Sequence, residues 1–211
     1  SRYGSPREGN AVLIYVTEDF LPNAQVKATK KSKSTNTILK LNRTKKFLTG
    51  IYPYSIMTSV FSNLEQTKPL VKTTTSIQEW CGQAYLQLNR RGRLEVKSHS
   101  YFEGEADQNL RFKDAITEEG IWTWIRTHPK LLPVGDFKIL PSLEYLQLKH
   151  KPLKLYNVKT KFDQNDSLNT YHMTYPELSR KLSIKFSVLP PFKILGWDET
   201  NLKNSDQITI A

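Results

Sequence analysis

Cysteine occurs once in 211 residues, at Cys81, which excludes an intramolecular disulfide and any zinc site built from several thiolates. The same scarcity leaves the compartment open, since it suits the cytosol and an exported protein that does without disulfides. No apolar run approaches the ~20 residues that a membrane-crossing helix needs. Glycine-rich phosphate loops, nucleophile elbows and paired metal-ligand spacings are missing, which argues against the enzyme classes that carry local signatures. Also absent are an internal repeat, a Gly/Ser-rich linker and any shift in composition, so residues 1–211 read as a single β-rich domain. No secretory leader is visible, but the opening Ser1-Arg2-Tyr3-Gly4-Ser5-Pro6-Arg7 has the look of an interior stretch, so a leader is expected to precede it.

The residues present in quantity favour strands. Ten Tyr, nine Phe and four Trp stand beside only two Met, and threonine is frequent. Short apolar runs alternate with turn clusters, as at Asp163-Gln164-Asn165-Asp166-Ser167 and Pro190-Pro191. The expected strands cover about 10–21, 37–42, 54–62, 74–88, 94–102, 137–139, 144–149, 153–162, 169–175, 182–188 and 192–197. The first is expected to be a buried strand, and the tail holds only Ile208 and Ile210 to bury. One helix is expected over residues 114–128, with Asp114 as its N-cap and His128-Pro129 as its stop. These elements predict a mainly β fold, a curved antiparallel sheet or partly closed β-barrel with one α-helix wrapped by it or plugging it.

The chain is organised around residues 74–109, read as two strands joined at Arg90-Arg91-Gly92. On the outgoing strand Trp80, Gly82, Ala84, Leu86 and Leu88 share one parity, matched on the return by Leu94, Val96, Ser98, Ser100 and Phe102, which makes one face apolar. The expected register sets Leu88 against Leu94, Leu86 against Val96 and Trp80 against Phe102. The opposite face then pairs Gln87 with Glu95, Tyr85 with Lys97, Gln83 with His99, Cys81 with Tyr101, and Glu79 with Glu103. Like charges directly opposite on a sheet are unfavourable, so Glu79 and Glu103 require a cation, a raised pKa or a break in the pairing.

Cys81 and His99 become diagonal neighbours in that register, with Glu79, Tyr101, Glu103, Glu105 and Asp107 close by. A thiol, an imidazole and carboxylates together can form a catalytic site (Cys81, His99, Glu79, Glu103) or a three-ligand metal site (Cys81, His99, Glu103). The plainer reading is a solvated sheet face with one small thiol. His128, His150 and His172 have no ligand spacing and read as surface or capping residues, and Trp122 and Trp124 read as helix packing.

The net charge of +11 is local: residues 27–46 hold Lys27, Lys30, Lys31, Lys33, Lys40, Arg43, Lys45 and Lys46 with no acidic residue. Read as a basic strand and loop, this segment could contact nucleic acid through phosphates, or anionic lipid, or simply stand solvated beside a sheet edge.

Four stretches carry a family resemblance: Glu8–Ile14, Gly50–Met57, Gln78–Gly82 and Ser98–Gln108. They resemble an uncharacterised family of bacterial exported proteins, envelope lipoproteins whose members are sometimes labelled septum formation inhibitor Maf. The resemblance implies a longer precursor with a leader and a lipid-attachment cysteine, hence a periplasmic or cell-envelope location and membrane contact only through that anchor. It implies no activity: nothing in the chain matches the Ser-x-Arg-Arg start of Maf pyrophosphatases, and their fold is α/β. The expected function is a non-enzymatic envelope protein, with no cofactor, binding an apolar ligand or protein partner on a curved β-sheet. The alternatives are the Cys/His/carboxylate site on the 74–109 hairpin and, more weakly, nucleic-acid or anionic-lipid binding through residues 27–46.

Overall fold

Strands take 57 % of the described residues. The computed structural model describes residues 7–64, 68–204 and 207–211, with the backbone alone for Gln207 and Ile208. The Ser1–Pro6 stretch, the middle of the loop expected over Asn63–Pro69 and the burial of Ile208 lie outside the described residues.

The first half of the chain forms one antiparallel sheet: β1 (Gly9–Leu21), β2 (Val26–Lys27), β3 (Asn36–Thr49), β4 (Tyr52–Asn63), β5 (Leu70–Glu79), β6 (Gly82–Arg90), β7 (Leu94–Ser100) and β8 (Gln108–Phe112). Its order is β2-β1-β3-β4-β5-β6-β7-β8, and the sheet curls strongly into a half-barrel. The second half supplies β9 (Ile116–Thr117), α1 (Glu118–Thr127), β10 (Gly135–Leu140), α2 (Leu143–Leu148), β11 (Tyr156–Gln164), β12 (Asn169–Tyr175), β13 (Arg180–Phe186), β14 (Ile194–Asn201) and β15 (Gln207–Ile210). These strands make a second sheet, ordered β15-β14-β13-β12-β11-β10-β9, antiparallel except between β9 and β10.

Helix α1 lies between the sheets. Thr123 Oγ1 meets Ser62 Oγ of β4 at 2.6 Å, while the Trp122 ring sits edge-on to Trp197 of β14 with centroids 5.3 Å apart. The half-barrel's inner face, with Leu41, Ile56, Val60, Leu86, Leu88, Leu94 and Val96, closes on α1, α2 and the second sheet to form one core. Burial of each such side chain contributes roughly 1.5–3 kcal/mol.

Several expectations are corrected. The helix starts at Glu118, because Thr117 Oγ1 caps it by accepting the Gly120 N–H at 3.2 Å, whereas Asp114 binds Lys68 and Arg90. Residues 144–149, expected as strand, fall largely in α2, capped by Ser142. The short strand over 37–42 and the turn after it are one long strand, β3. Strand β1, expected to be buried, lies near the sheet edge with Val12, Ile14 and Val16 exposed on its outer face.

The organising hairpin keeps its apolar face but changes its register. Its loop is Arg91-Gly92-Arg93, with Gly92 at a left-handed φ of 71°, so Leu88 faces Val96, Leu86 faces Ser98 and Tyr85 faces His99. A shift of two positions preserves parity, which is why Ala84, Leu86, Leu88, Leu94 and Val96 remain buried. The outgoing strand is not continuous. It reverses at Trp80-Cys81, with Glu79 directly opposite Gly82, so the pairs Trp80–Phe102, Cys81–Tyr101 and Glu79–Glu103 do not form.

Candidate functional site

Two places concentrate chemically versatile side chains. The first is enclosed between the sheets. Arg180 of β13 grips Glu118 with two hydrogen bonds, at 2.6 and 2.8 Å, and donates through Nε to Glu199. Its guanidinium stacks against Tyr145, 4.1 Å from the ring centre, and Tyr175 donates to Glu118 at 2.7 Å. Opposite, Arg43 and Lys45 of β3 reach Glu144 of α2 at 3.3 and 2.7 Å. They reach it because Leu41, Arg43, Lys45 and Phe47 share the inner face of β3.

Burial opposes ionisation of Glu118 and Glu144, but Arg180 beside the first and Lys45 with Arg43 beside the second hold both below the usual carboxylate range. Glu119 forms no ion pair among the described residues, and the pull of Arg43 on it is outweighed. Burial, reinforced by the neighbouring Glu118 charge, pushes its carboxyl up to about 7, and Oε1 accepts the Leu143 N–H at 3.0 Å. The space left among these groups is about 60 Å³. A polar cavity of that size takes a few water molecules, and Arg43 Nε and Trp122 Nε1 are buried donors without a protein partner. This network ties both helices to both sheets, and its chemistry is directed inward.

The second place is the outer face of β5–β7 and the end of the half-barrel beside it. Strand polarity brings to this end the β3–β4 turn at Gly50-Ile51, the β5–β6 turn at Trp80-Cys81 and the loop 101–107. These carry large apolar groups into solvent: Ile51 is 73 % exposed, Trp80 66 % and Tyr101 74 %. Tyr52 stands edge-on to Trp80 at 5.7 Å. Gly82 has a specific steric role, since a Cβ there would lie 2.6 Å from the Tyr101 ring.

Loop 101–107 is fastened from inside. Glu105 accepts from Gln147 of α2 at 2.5 Å and meets His150 Nδ1 at 2.7 Å, and Phe102 packs edge-on against the His150 ring. From outside, Asp107 meets His99 Nδ1 at 2.9 Å. Below the loop an outer groove of about 390 Å³ runs over Ser76, Gln78, Gln83, Tyr85, His99 and Asp107. Gln78 lies directly opposite Gln83, and the next row of the ladder is Ser76, Tyr85, His99. The Tyr85 hydroxyl donates to Gln87 Oε1 at 2.9 Å, two residues along the same face. That bond lays the ring along the strand.

The residues expected to form a catalytic or metal site are separated. His99 faces outward into the groove. Glu79 faces inward, because the two-residue turn at Trp80-Cys81 reverses the parity, and its Oε2 accepts the Cys81 N–H at 3.3 Å. Cys81 lies in that turn, four residues from the His99 partner Tyr85, or roughly 13 Å along the strand. Glu103 is exposed within loop 101–107. Asp107 orients the His99 imidazole, but neither the Cys81 thiol nor the Glu79 and Glu103 carboxylates are among the groups lining the groove with it. Among the described residues no group of three or more His, Cys, Asp or Glu side chains is placed to hold a metal ion.

The basic segment is divided too. Lys40 and Lys27 pair with Glu18, Arg43 and Lys45 turn inside, and Lys30, Lys31 and Lys33 occupy an exposed loop at the opposite end from the groove. His128 caps α1, as expected, its backbone N–H donating to the Trp124 carbonyl. Comparison with protein-family models, curated proteins and solved structures finds no match to this chain.

The sequence reading missed Ser76 and Gln78 as neighbours of Tyr85 and His99, whereas it placed Asp107 close to His99. Alternation carried the signal for Gln83, Tyr85 and His99. The missing link was the turn at Trp80-Cys81, which folds β5 back beside β6.

Proposed function

We propose that this protein is a non-enzymatic exported protein of the bacterial envelope that binds its target on the outer face of the half-barrel. The observation that carries the proposal is the 390 Å³ groove over β5–β7, which lies at the same end of the half-barrel as the exposed Trp80 and Tyr101. A concave site of this size with a few convergent polar groups is the usual form of a binding site. Exposed aromatic side chains are also the commonest anchors of binding surfaces.

The enclosed side supports the same assignment by contrast. It is filled by α1, α2 and a charge network, and the space of about 60 Å³ left there is lined largely by charged groups. The four stretches that carry the family resemblance, Glu8–Ile14, Gly50–Met57, Gln78–Gly82 and Ser98–Gln108, all contribute to the end of the half-barrel bearing the groove or to the strands leading into it. The envelope location rests on that resemblance.

A photo-crosslinking side chain placed at Gln83, Trp80 or Tyr101 in cells tests the proposal. Adducts are expected from these positions and not from Lys161 or Lys185 on the second sheet. Equal labelling at all five, or labelling confined to the second sheet, contradicts it.

A further inference from the structure

The lining of the outer groove narrows the chemistry of what it can hold. Among the described residues no lysine or arginine lines it, so no cationic side chain there compensates the desolvation of a phosphate or carboxylate ligand. The groove does not suit an acyl chain, because its outward side chains are Ser76, Gln78, Gln83, Tyr85, His99 and Asp107. Two amides, a hydroxyl and an imidazole–carboxylate pair offer donors and acceptors side by side. That mixture matches vicinal hydroxyl groups, each of which donates and accepts at once. The Tyr85 ring, held along β6 by its bond to Gln87, adds a flat partly exposed surface against which an apolar C–H face can lie. Beyond the groove, Trp80 and Tyr101 extend the aromatic surface at the end of the half-barrel.

We infer that the groove is a binding site for a neutral oligosaccharide, with one sugar ring against Tyr85, its hydroxyls bonded by Gln78, Gln83, Ser76 and the His99–Asp107 pair, and the chain continuing towards Trp80 and Tyr101. This rests on the reading of the outer face as the binding surface. The 390 Å³ falls within the range of small-ligand sites and accommodates one or two sugar units. The His99–Asp107 bond fixes one ring nitrogen and leaves Nε2 to face the ligand.

The test is NMR titration of the protein with neutral gluco-, xylo-, manno- and galacto-oligosaccharides and N-acetylated amino-sugar oligomers at millimolar concentration. The expected result is that at least one of them shifts the amides of Ser76, Gln83, Tyr85 and His99. Tyr85→Ala is expected to weaken that binding by at least about tenfold, whereas Tyr85→Phe keeps it within about threefold. Lys185→Ala on the second sheet is expected to leave it unchanged.

No response to any of these sugars, or a response unaltered in Tyr85→Ala, overturns the assignment. Crosslinking from Gln83 to a polypeptide, combined with no sugar response, overturns the saccharide and leaves the binding surface standing. Loss of both the crosslinks and the sugar response removes both.

Discussion

The inter-sheet network and the outer groove are built from similar residue types, yet they behave oppositely. In the network Arg180, Glu118, Glu199 and Tyr175 satisfy one another, and Arg43 and Lys45 are matched by Glu144. On the outer face Gln78, Gln83, Tyr85, His99 and Asp107 present their polar groups to solvent, and aromatic residues stand exposed beside them. A concentration of charge is therefore a poor guide to function on its own. Buried pairs of this kind are costly to break, while solvent-facing polar groups cost little to remove.

The largest effect is expected from separating the buried charges. Arg180→Met strands Glu118 and Glu199 without their cation and should lower unfolding stability by about 3–5 kcal/mol in urea titration. A loss below about 1 kcal/mol would mean that the network does not hold the sheets together.

Glu119 sharpens the comparison through pH. Its folded pKa of about 7 lies above the ordinary carboxylate value of 4.5, so the folded state binds more protons than the unfolded state between those values. Stability attributable to Glu119 is therefore present at acid pH and falls as pH rises from about 4.5 to 7, by roughly 3 kcal/mol at most. Glu119→Gln should flatten this fall in denaturation curves taken across that range, while keeping an acceptor for the Leu143 N–H. An unchanged slope would place the titration elsewhere. Glu118 and Glu144, with lowered pKa values, act in the opposite sense: their contribution is present above the ordinary carboxylate pKa and is lost in stronger acid.

A middle case is Gly82→Ala. Its Cβ would meet the Tyr101 ring at 2.6 Å, so the expected cost is about 1–2 kcal/mol together with displacement of Tyr101, visible as a changed NMR environment for that ring. The smallest effect is expected on the outer face. Tyr85→Ala combined with His99→Ala should stay within about 0.5 kcal/mol of the parent in thermal unfolding. A larger loss would mean that the groove is structural and would erase the distinction between the two regions.

The mainly β class and the buried face of the β6–β7 hairpin were legible because period-two alternation survives a two-residue change of register, as Leu86, Leu88, Leu94 and Val96 demonstrate. The turn at Trp80-Cys81 was not legible, since neither residue is a usual turn former, and missing it put Glu79 on the wrong face. Helix α2 has six residues, too few for a periodic signal, although Pro141-Ser142 before Glu144 is a usable start signal. The inward turn of Arg43 was hidden for a different reason. Its partner Glu144 lies 101 residues away, and no local pattern reports a pair at that separation.

Hydrogen exchange of the protein mixed with solubilised bacterial envelope material, compared with the protein alone, tests the division of labour most directly. Slowed exchange is expected in the β5–β6 turn, in strands β6 and β7 and in loop 101–107, with α1 and β13 unchanged. Slowing confined to α1, β13 or the second sheet, with the groove unaffected, would contradict the account.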